Sequence, residues 1–152
     1  MKKLLIVYHT QSGRTGQLAD AVLAGALEEG EAVEVRKLRA PEADLEALLW
    51  CDGLLLGTPE NFGALSGMLK DFLDRTYYPA QGKVEGLPWA MFVSAGNDGR
   101  GAVRQLERIA IGYGWRKVAE PLIARGELTG AHLAAAHELG QTLAAGLAFG
   151  IF

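Results

Sequence analysis

Residues 4–15 read LLIVYHTQSGRT, an apolar run that passes directly into a loop rich in hydroxyl groups. The first five of them are apolar without interruption, which is typical of a strand buried on both faces. Beyond the loop, Leu18, Val22 and Ala26 recur at every fourth position, and this spacing predicts a helix over 14–29. A buried strand followed by a loop and an amphipathic helix indicates the first unit of a parallel α/β sheet.

The same alternation continues along the chain and predicts five strands and five helices. Two further apolar runs, at 53–56 and 89–93, predict interior strands, whereas the strands predicted at 33–36 and 115–124 carry charges that suit the edges of a sheet. The strand order 2-1-3-4-5 places the three apolar strands inside the sheet and the two charged strands at its edges. We therefore expect an α/β fold with one domain, 1–152, built as a three-layer, doubly wound, five-stranded parallel sheet.

The composition excludes several classes of function. The chain has 15 basic and 18 acidic residues, a net charge of −3, so it lacks the basic surplus that drives binding to nucleic acid or anionic lipid. The single cysteine, Cys51, cannot form an internal disulfide or a zinc-type cluster. No apolar run approaches the roughly 18 residues that suggest a membrane span. We expect a cytoplasmic protein without metal, nucleic-acid partner or membrane span.

The loop at 10–15 has the chemistry of a phosphate site. It carries three hydroxyls (Thr10, Ser12 and Thr15), a glycine, and free amides at the start of a helix, where the helix dipole favours an anion. The chain has no G-x-x-x-x-G-K-[ST], no G-x-G-x-x-G after the first strand and no Cys-x5-Arg, so other phosphate loops are absent. A capped helix start without a ligand is the alternative interpretation.

Three stretches together resemble a known family. Residues 6–15, IVYHTQSGRT, resemble the FMN-phosphate signature of flavodoxins. Residues 57–67, GTPENFGALSG, resemble the isoalloxazine loop of flavodoxin-like NAD(P)H:quinone reductases of the tryptophan-repressor-binding-protein group, and residues 94–101, SAGNDGRG, resemble the third flavin loop of the same superfamily. The resemblance covers the whole chain in element order. It implies a single flavodoxin-like FMN-binding domain with FMN as cofactor.

The resemblance also implies which residues contact FMN. Those that hold the phosphate are Thr10, Gln11, Ser12, Gly13, Arg14 and Thr15. Those that line one side of the flavin ring are Pro59, Glu60, Asn61, Phe62 and Gly63. Those that line the other side are Ser94, Ala95, Gly96, Asn97 and Gly99. From the residues alone, two alternatives stay open: Phe62 tucked into the core, and Glu60 and Asp98 as solvated loop charges.

The third loop separates two functions. Electron-shuttle flavodoxins usually sandwich the ring between aromatic residues of the second and third loops, but residues 94–101 contain none. One ring face would then stay open to a nicotinamide or a quinone. We therefore expect an FMN-dependent NAD(P)H oxidoreductase that reduces quinones or similar small acceptors, with the flavin carrying the chemistry. The alternative is a flavodoxin-type protein that passes electrons between redox protein partners without substrate turnover. The resemblance further implies a homodimer or homotetramer.

Overall fold

The computed structural model describes all 152 residues. In chain order the strands are β1 (Lys2–Tyr8), β2 (Val33–Arg39), β3 (Gly53–Asn61), β4 (Ala64–Leu65), β5 (Pro88–Ala95), β6 (Arg116–Lys117) and β7 (Leu122–Arg125). The helices are α1 (Arg14–Ala26), α2 (Leu45–Trp50), α3 (Gly67–Ala80), α4 (Arg100–Tyr113) and α5 (Gly130–Ala148). Short 3₁₀ turns precede and follow β2.

The sheet has the order β2-β1-β3-β5, and both β6 and β7 pair with the outer edge of β5. All of these pairings are parallel. With β6 and β7 as two parts of the fifth strand, the predicted order 2-1-3-4-5 is confirmed. The strand predicted at 115–124 is split because Pro121 has no amide hydrogen for the ladder. The antiparallel hairpin of β3 and β4 was not predicted.

The interior strands send alternate side chains into two separate cores. Leu5 and Val7 of β1 pack with residues of α2, α3 and α4, whereas Leu4 and Ile6 pack with residues of α1 and α5. This alternation follows from the two-residue period of a strand. Helices therefore cover both faces of the sheet, and the predicted three-layer α/β architecture is confirmed.

Two predicted helix ends are wrong. The helix α3 continues through Tyr77 and Pro79 to Ala80, although the prolines and glycines of residues 77–88 predict a loop there. Proline in the last turn removes few hydrogen bonds, and the ring of Tyr77 packs edge-on against that of Tyr113 at 5.2 Å, which favours the helical conformation. Conversely, α1 was predicted to end at residue 29 but ends at Ala26, and a 3₁₀ turn follows it. None of the helices combines the length and apolarity needed to cross a membrane.

The carboxyl ends of β1, β3 and β5 lie side by side at one edge of the sheet. Tyr8 is paired with Gly57, and Pro59 with Ser94, so the loops that follow these strands are neighbours. In open α/β sheets this edge, beside the point where the strand order reverses, is where ligands bind.

Candidate functional site

The three loops meet around one open cavity. Its volume is about 210 Å³, and nine residues line it. They are Gln11, Ser12, Arg14, Pro59, Glu60, Asn61, Ser94, Ala95 and Gly96. All nine are among the site residues that the sequence predicts, and each of the three predicted segments contributes three of them. The structure therefore brings the three segments together in space.

The start of α1, whose first residue lines this cavity, has unpaired amides. Its N-cap residue, Gly13, has a left-handed φ of 100° and offers no side chain to the helix. The Gly13 amide donates to Thr10 Oγ1 at 3.1 Å, and the first intrahelical bond runs from the Gln17 amide to the Gly13 carbonyl. The amides of residues 14–16 precede that bond and point out of the helix. An uncapped helix N-terminus of this kind favours an anion.

Two side-chain contacts connect the first loop to the other two. Thr15 and Ser94 are both buried, and their hydroxyl oxygens lie 2.7 Å apart in a hydrogen bond. This contact joins the first turn of α1 to the end of β5. The Asn61 side-chain amide donates to Gln11 Oε1, which joins the loop after β1 to the end of β3. Thr15 does not line the cavity, and its predicted contact with the phosphate stays a prediction.

Phe62 does not line the cavity. With Gly63 it forms the turn of the β3–β4 hairpin, and the two residues have φ values of 51° and 76°. The Phe62 side chain is fully exposed, so the alternative in which it is tucked into the core is wrong. Its predicted place against one side of a flavin ring stays a prediction, as does that of Asn97, which is also exposed.

Glu60 is not a free surface charge. Its carboxylate accepts hydrogen bonds from the amides of Gly99, Gly101 and Ala102 at the start of α4, at 2.9, 2.9 and 3.2 Å. The alternative of a solvated loop charge is therefore wrong for Glu60. Sequence reasoning missed Gly101 as a partner of Glu60; a glycine in the first turn of a helix was the available signal.

His9 and Arg39 border the first loop. His9 Nδ1 is buried without a hydrogen-bond partner. Burial, and to a smaller extent the nearby positive charge of Arg39, lower the pKa of His9 from its ordinary value of 6.5. Arg39 Nη2 donates to the Thr10 carbonyl at 3.4 Å. Arg39 was not predicted as part of the site, because nothing in the sequence shows that the end of β2 reaches this loop.

The largest cavity lies elsewhere, as a groove of about 620 Å³ between α3 and α4. Tyr77, Ile109 and Tyr113 are among its lining residues, and none of the predicted site residues is. The structure also contains no cluster of three or more His, Cys, Asp or Glu side chains arranged to hold a metal. The cavity where β1, β3 and β5 end is thus the one that coincides with the predicted chemistry.

Comparison with known proteins agrees with this geometry. The sequence model of a family described as NADPH-dependent FMN reductase matches residues 39–127, a segment that contains the second and third loops of the cavity. The chain belongs to this family. Membership confirms the predicted resemblance to flavodoxin-like FMN proteins and the prediction of FMN as cofactor.

Two curated relatives carry different names within this group. A protein named "Flavodoxin" from Aquifex aeolicus is 38% identical over 66% of this chain and 54% of its own length. A protein named "NAD(P)H dehydrogenase (quinone)" from Acidithiobacillus ferrooxidans is 33% identical over 62% of this chain and 57% of its own length. The matched part of this chain thus spans about half the length of these curated relatives.

The fold is shared with solved structures. A flavodoxin from the domain Archaea superposes with a TM-score of 0.81 at 21% identity, covering 95% of this chain and 98% of that chain. This match confirms the flavodoxin-like fold class. It says nothing about activity, because many functions occur on this fold.

Proposed function

We propose that this chain binds FMN at the cavity between the loops after β1, β3 and β5, and acts as an FMN-dependent NAD(P)H oxidoreductase that reduces quinones or similar small acceptors. The observation that carries the proposal is the convergence of the three predicted segments around one cavity beside the uncapped start of α1. Membership of the NADPH-dependent FMN reductase family and the quinone-reducing relatives support it.

The residues present fit a flavin nucleotide. The amides at 14–16 and the exposed Ser12 hydroxyl are donors for a phosphate. Pro59 and Ala95 supply apolar wall for a flat ring, and Gly96 leaves open space where a side chain would stand. At about 210 Å³ the cavity is smaller than the roughly 300–1,000 Å³ of pockets that enclose a ligand. A flavin nucleotide bound here would therefore stay partly exposed.

The protein's part in the reaction is to bind and orient. FMN, when bound, supplies the two-electron redox chemistry. Only two titratable residues line the cavity, Arg14 and Glu60, and the Glu60 carboxylate is occupied by three backbone amides. No lining side chain is therefore placed as a general acid, and protons would come from water. The absence of an aromatic residue from 94–101 leaves one side open for a planar donor or acceptor.

Substitution of Ser12 tests the cofactor site. Ser12→Asp puts a carboxylate beside the free amides, where it repels a phosphate. We expect FMN affinity to fall at least about tenfold, while riboflavin, which lacks the phosphate, binds as before. The matched control, Ser12→Asn, introduces no charge and should retain FMN. Fluorescence titration measures both ligands; equal FMN affinity in all three proteins would contradict the proposed site.

A turnover assay tests the proposed activity. With FMN bound, the protein should oxidise NADH or NADPH when a small quinone is present, and the Ser12→Asp variant should lose this rate at limiting FMN. The second candidate is an electron-transfer protein without substrate turnover, which the flavodoxin from Aquifex aeolicus favours. Retention of FMN without oxidation of either nucleotide would select that candidate.

We also propose a homodimer or homotetramer in the cytoplasm. The exposed side chains of Tyr78 and Ile111, at the end of α3 and on α4, support association of copies because they leave large apolar surface in water. Light scattering after gel filtration measures the mass, and a value close to 16.2 kDa would contradict it. The single, buried cysteine supports the proposed cytoplasmic location, because disulfides are rare in a reducing compartment.

A further inference from the structure

The start of α4 obtains its cap from another element. Its N-cap residue, Gly99, has no side chain, so the first amides of the helix have no local acceptor. Glu60 supplies one from the end of β3: Oε1 accepts from the Gly99 amide, and Oε2 accepts from the Gly101 and Ala102 amides. Hydrogen bonds to a carboxylate are about twice as strong as neutral ones, and here three converge on one side chain.

The hairpin that carries Glu60 sits directly on the first turn of α4. A Cβ atom at Gly101 would lie 2.0 Å from the Gly63 carbonyl oxygen and 3.1 Å from Glu60 Oε2. Only glycine permits this approach. Further along α4, Gln105 Oε1 accepts from the Leu65 amide at 2.9 Å, so the hairpin is attached to the helix at two points.

The contacts between the β3–β4 hairpin and the start of α4, called the joint below, connect two walls of the cavity. Pro59, Glu60 and Asn61 form one wall, and residues 94–96, at the end of β5 and the start of the loop to α4, form another. Pro59 and Ser94 are paired in the sheet, so beyond this pair the distance between the walls depends on how the hairpin is held against α4. We propose that Glu60 is a positioning residue that fixes the width of the flavin-ring slot before the ligand binds. The proposal rests on the proposed FMN site.

The test is Glu60→Gln, which keeps the shape and removes the charge. Glutamine has one carbonyl oxygen to accept bonds, and its NH₂ group would face backbone donors. We expect FMN and riboflavin to bind weaker by the same factor, about tenfold, because both use the ring slot. In the protein without ligand, the amides of residues 99–102 should exchange with deuterium faster than in the wild type.

The matched control is Asp44→Asn. Asp44 caps α2 by accepting from the Ala47 amide at 2.9 Å and does not line the cavity, so the same chemical change is made at another helix start. It should leave both affinities unchanged. Gln105→Ala is a milder second change in the joint and should weaken both ligands in the same direction if Glu60→Gln folds poorly.

Three results separate the proposals. Unchanged affinities and unchanged deuterium exchange in Glu60→Gln would overturn the positioning role. Weaker binding of FMN alone, with riboflavin unaffected, would also overturn it, because the effect would then lie at the phosphate. A wild-type protein that binds neither ligand would overturn the proposed function, and the exchange of residues 99–102 would still decide whether Glu60 holds the two loops together.

Discussion

Phe62 occupies a backbone conformation that its side chain does not favour. It is the only non-glycine residue with positive φ, at 51°, and its ring is fully exposed. Left-handed backbone costs an L-residue roughly 1–2 kcal/mol, and asparagine tolerates it best. Two successive positive φ values form the hairpin turn that matches the twist of the strands, so the β3–β4 pairing imposes this conformation on Phe62.

Phe62→Asn should therefore stabilise the protein. We expect the free energy of unfolding to rise by about 1 kcal/mol, because the turn conformation is retained and its strain is relieved. Urea denaturation measures the change. Phe62→Leu, which removes the aromatic ring but keeps the strain, is the control and should give no gain. A less stable asparagine variant would mean that the exposed ring contributes packing that the structure does not show.

His9 should make stability depend on pH. Its pKa is lowered in the folded state, so the unfolded chain binds a proton at a higher pH than the folded chain does. The contribution of neutral His9 to stability is complete above about pH 6.5 and is lost as the pH falls from there toward the lowered pKa. His9→Gln should show a smaller loss of stability between pH 7.5 and 5.5 than the wild type. Equal losses in urea denaturation would contradict this.

The helices α1 and α5 pack with their backbones in close contact at two glycines. A Cβ atom on Gly25 would lie 1.9 Å from the His137 carbonyl oxygen, and one on Gly140 would lie 1.9 Å from that of Val22. The contact is reciprocal, because each glycine lies directly against the backbone of the other helix. The apolar stripe of α1 was predictable from its spacing, but this approach depends on where α5 lies.

Gly25→Ala and Gly140→Ala should each destabilise the protein. The added methyl group meets backbone, which cannot move aside as a side chain can, and we expect a loss of about 1–3 kcal/mol each. Gly112→Ala in α4 is the matched control: the nearest atom to its Cβ would be a Tyr77 ring carbon at 3.9 Å. There, the higher helix propensity of alanine should add up to about 1 kcal/mol. Chemical denaturation of the three variants distinguishes these outcomes.

The sheet gathers the proposed site from distant parts of the chain. Thr15 contacts Ser94 across 79 positions, Asn61 contacts Gln11 across 50, and Glu60 contacts Gly101 across 41. A ligand that spans the three loops therefore stabilises the folded protein and has no counterpart site in the unfolded chain. Ligand binding can therefore be measured as an increase in the free energy of unfolding, independently of turnover.

FMN should raise the melting temperature of the protein. At a free concentration about one hundred times the Kd, binding adds about 2.7 kcal/mol, which corresponds to roughly 5–10 °C for a chain of this size. Differential scanning fluorimetry is complicated by flavin emission, so circular dichroism is the measurement. Ser12→Asp should show little of this shift, and a wild-type melting temperature that FMN leaves unchanged would contradict the site.

The apolar runs and their spacing were enough to predict the α/β class and the order of the strands, and the family resemblance indicated the three segments that line the cavity. Strands buried on both faces must be apolar throughout, so they can be recognised from residue types. The loop at 10–15 can be recognised in the same way, because its chemistry is local. The Glu60 cap, the strained turn at Phe62 and the Gly25–Gly140 contact came only from the tertiary structure. Each depends on the distance between groups far apart in the chain, which residue type and spacing do not encode.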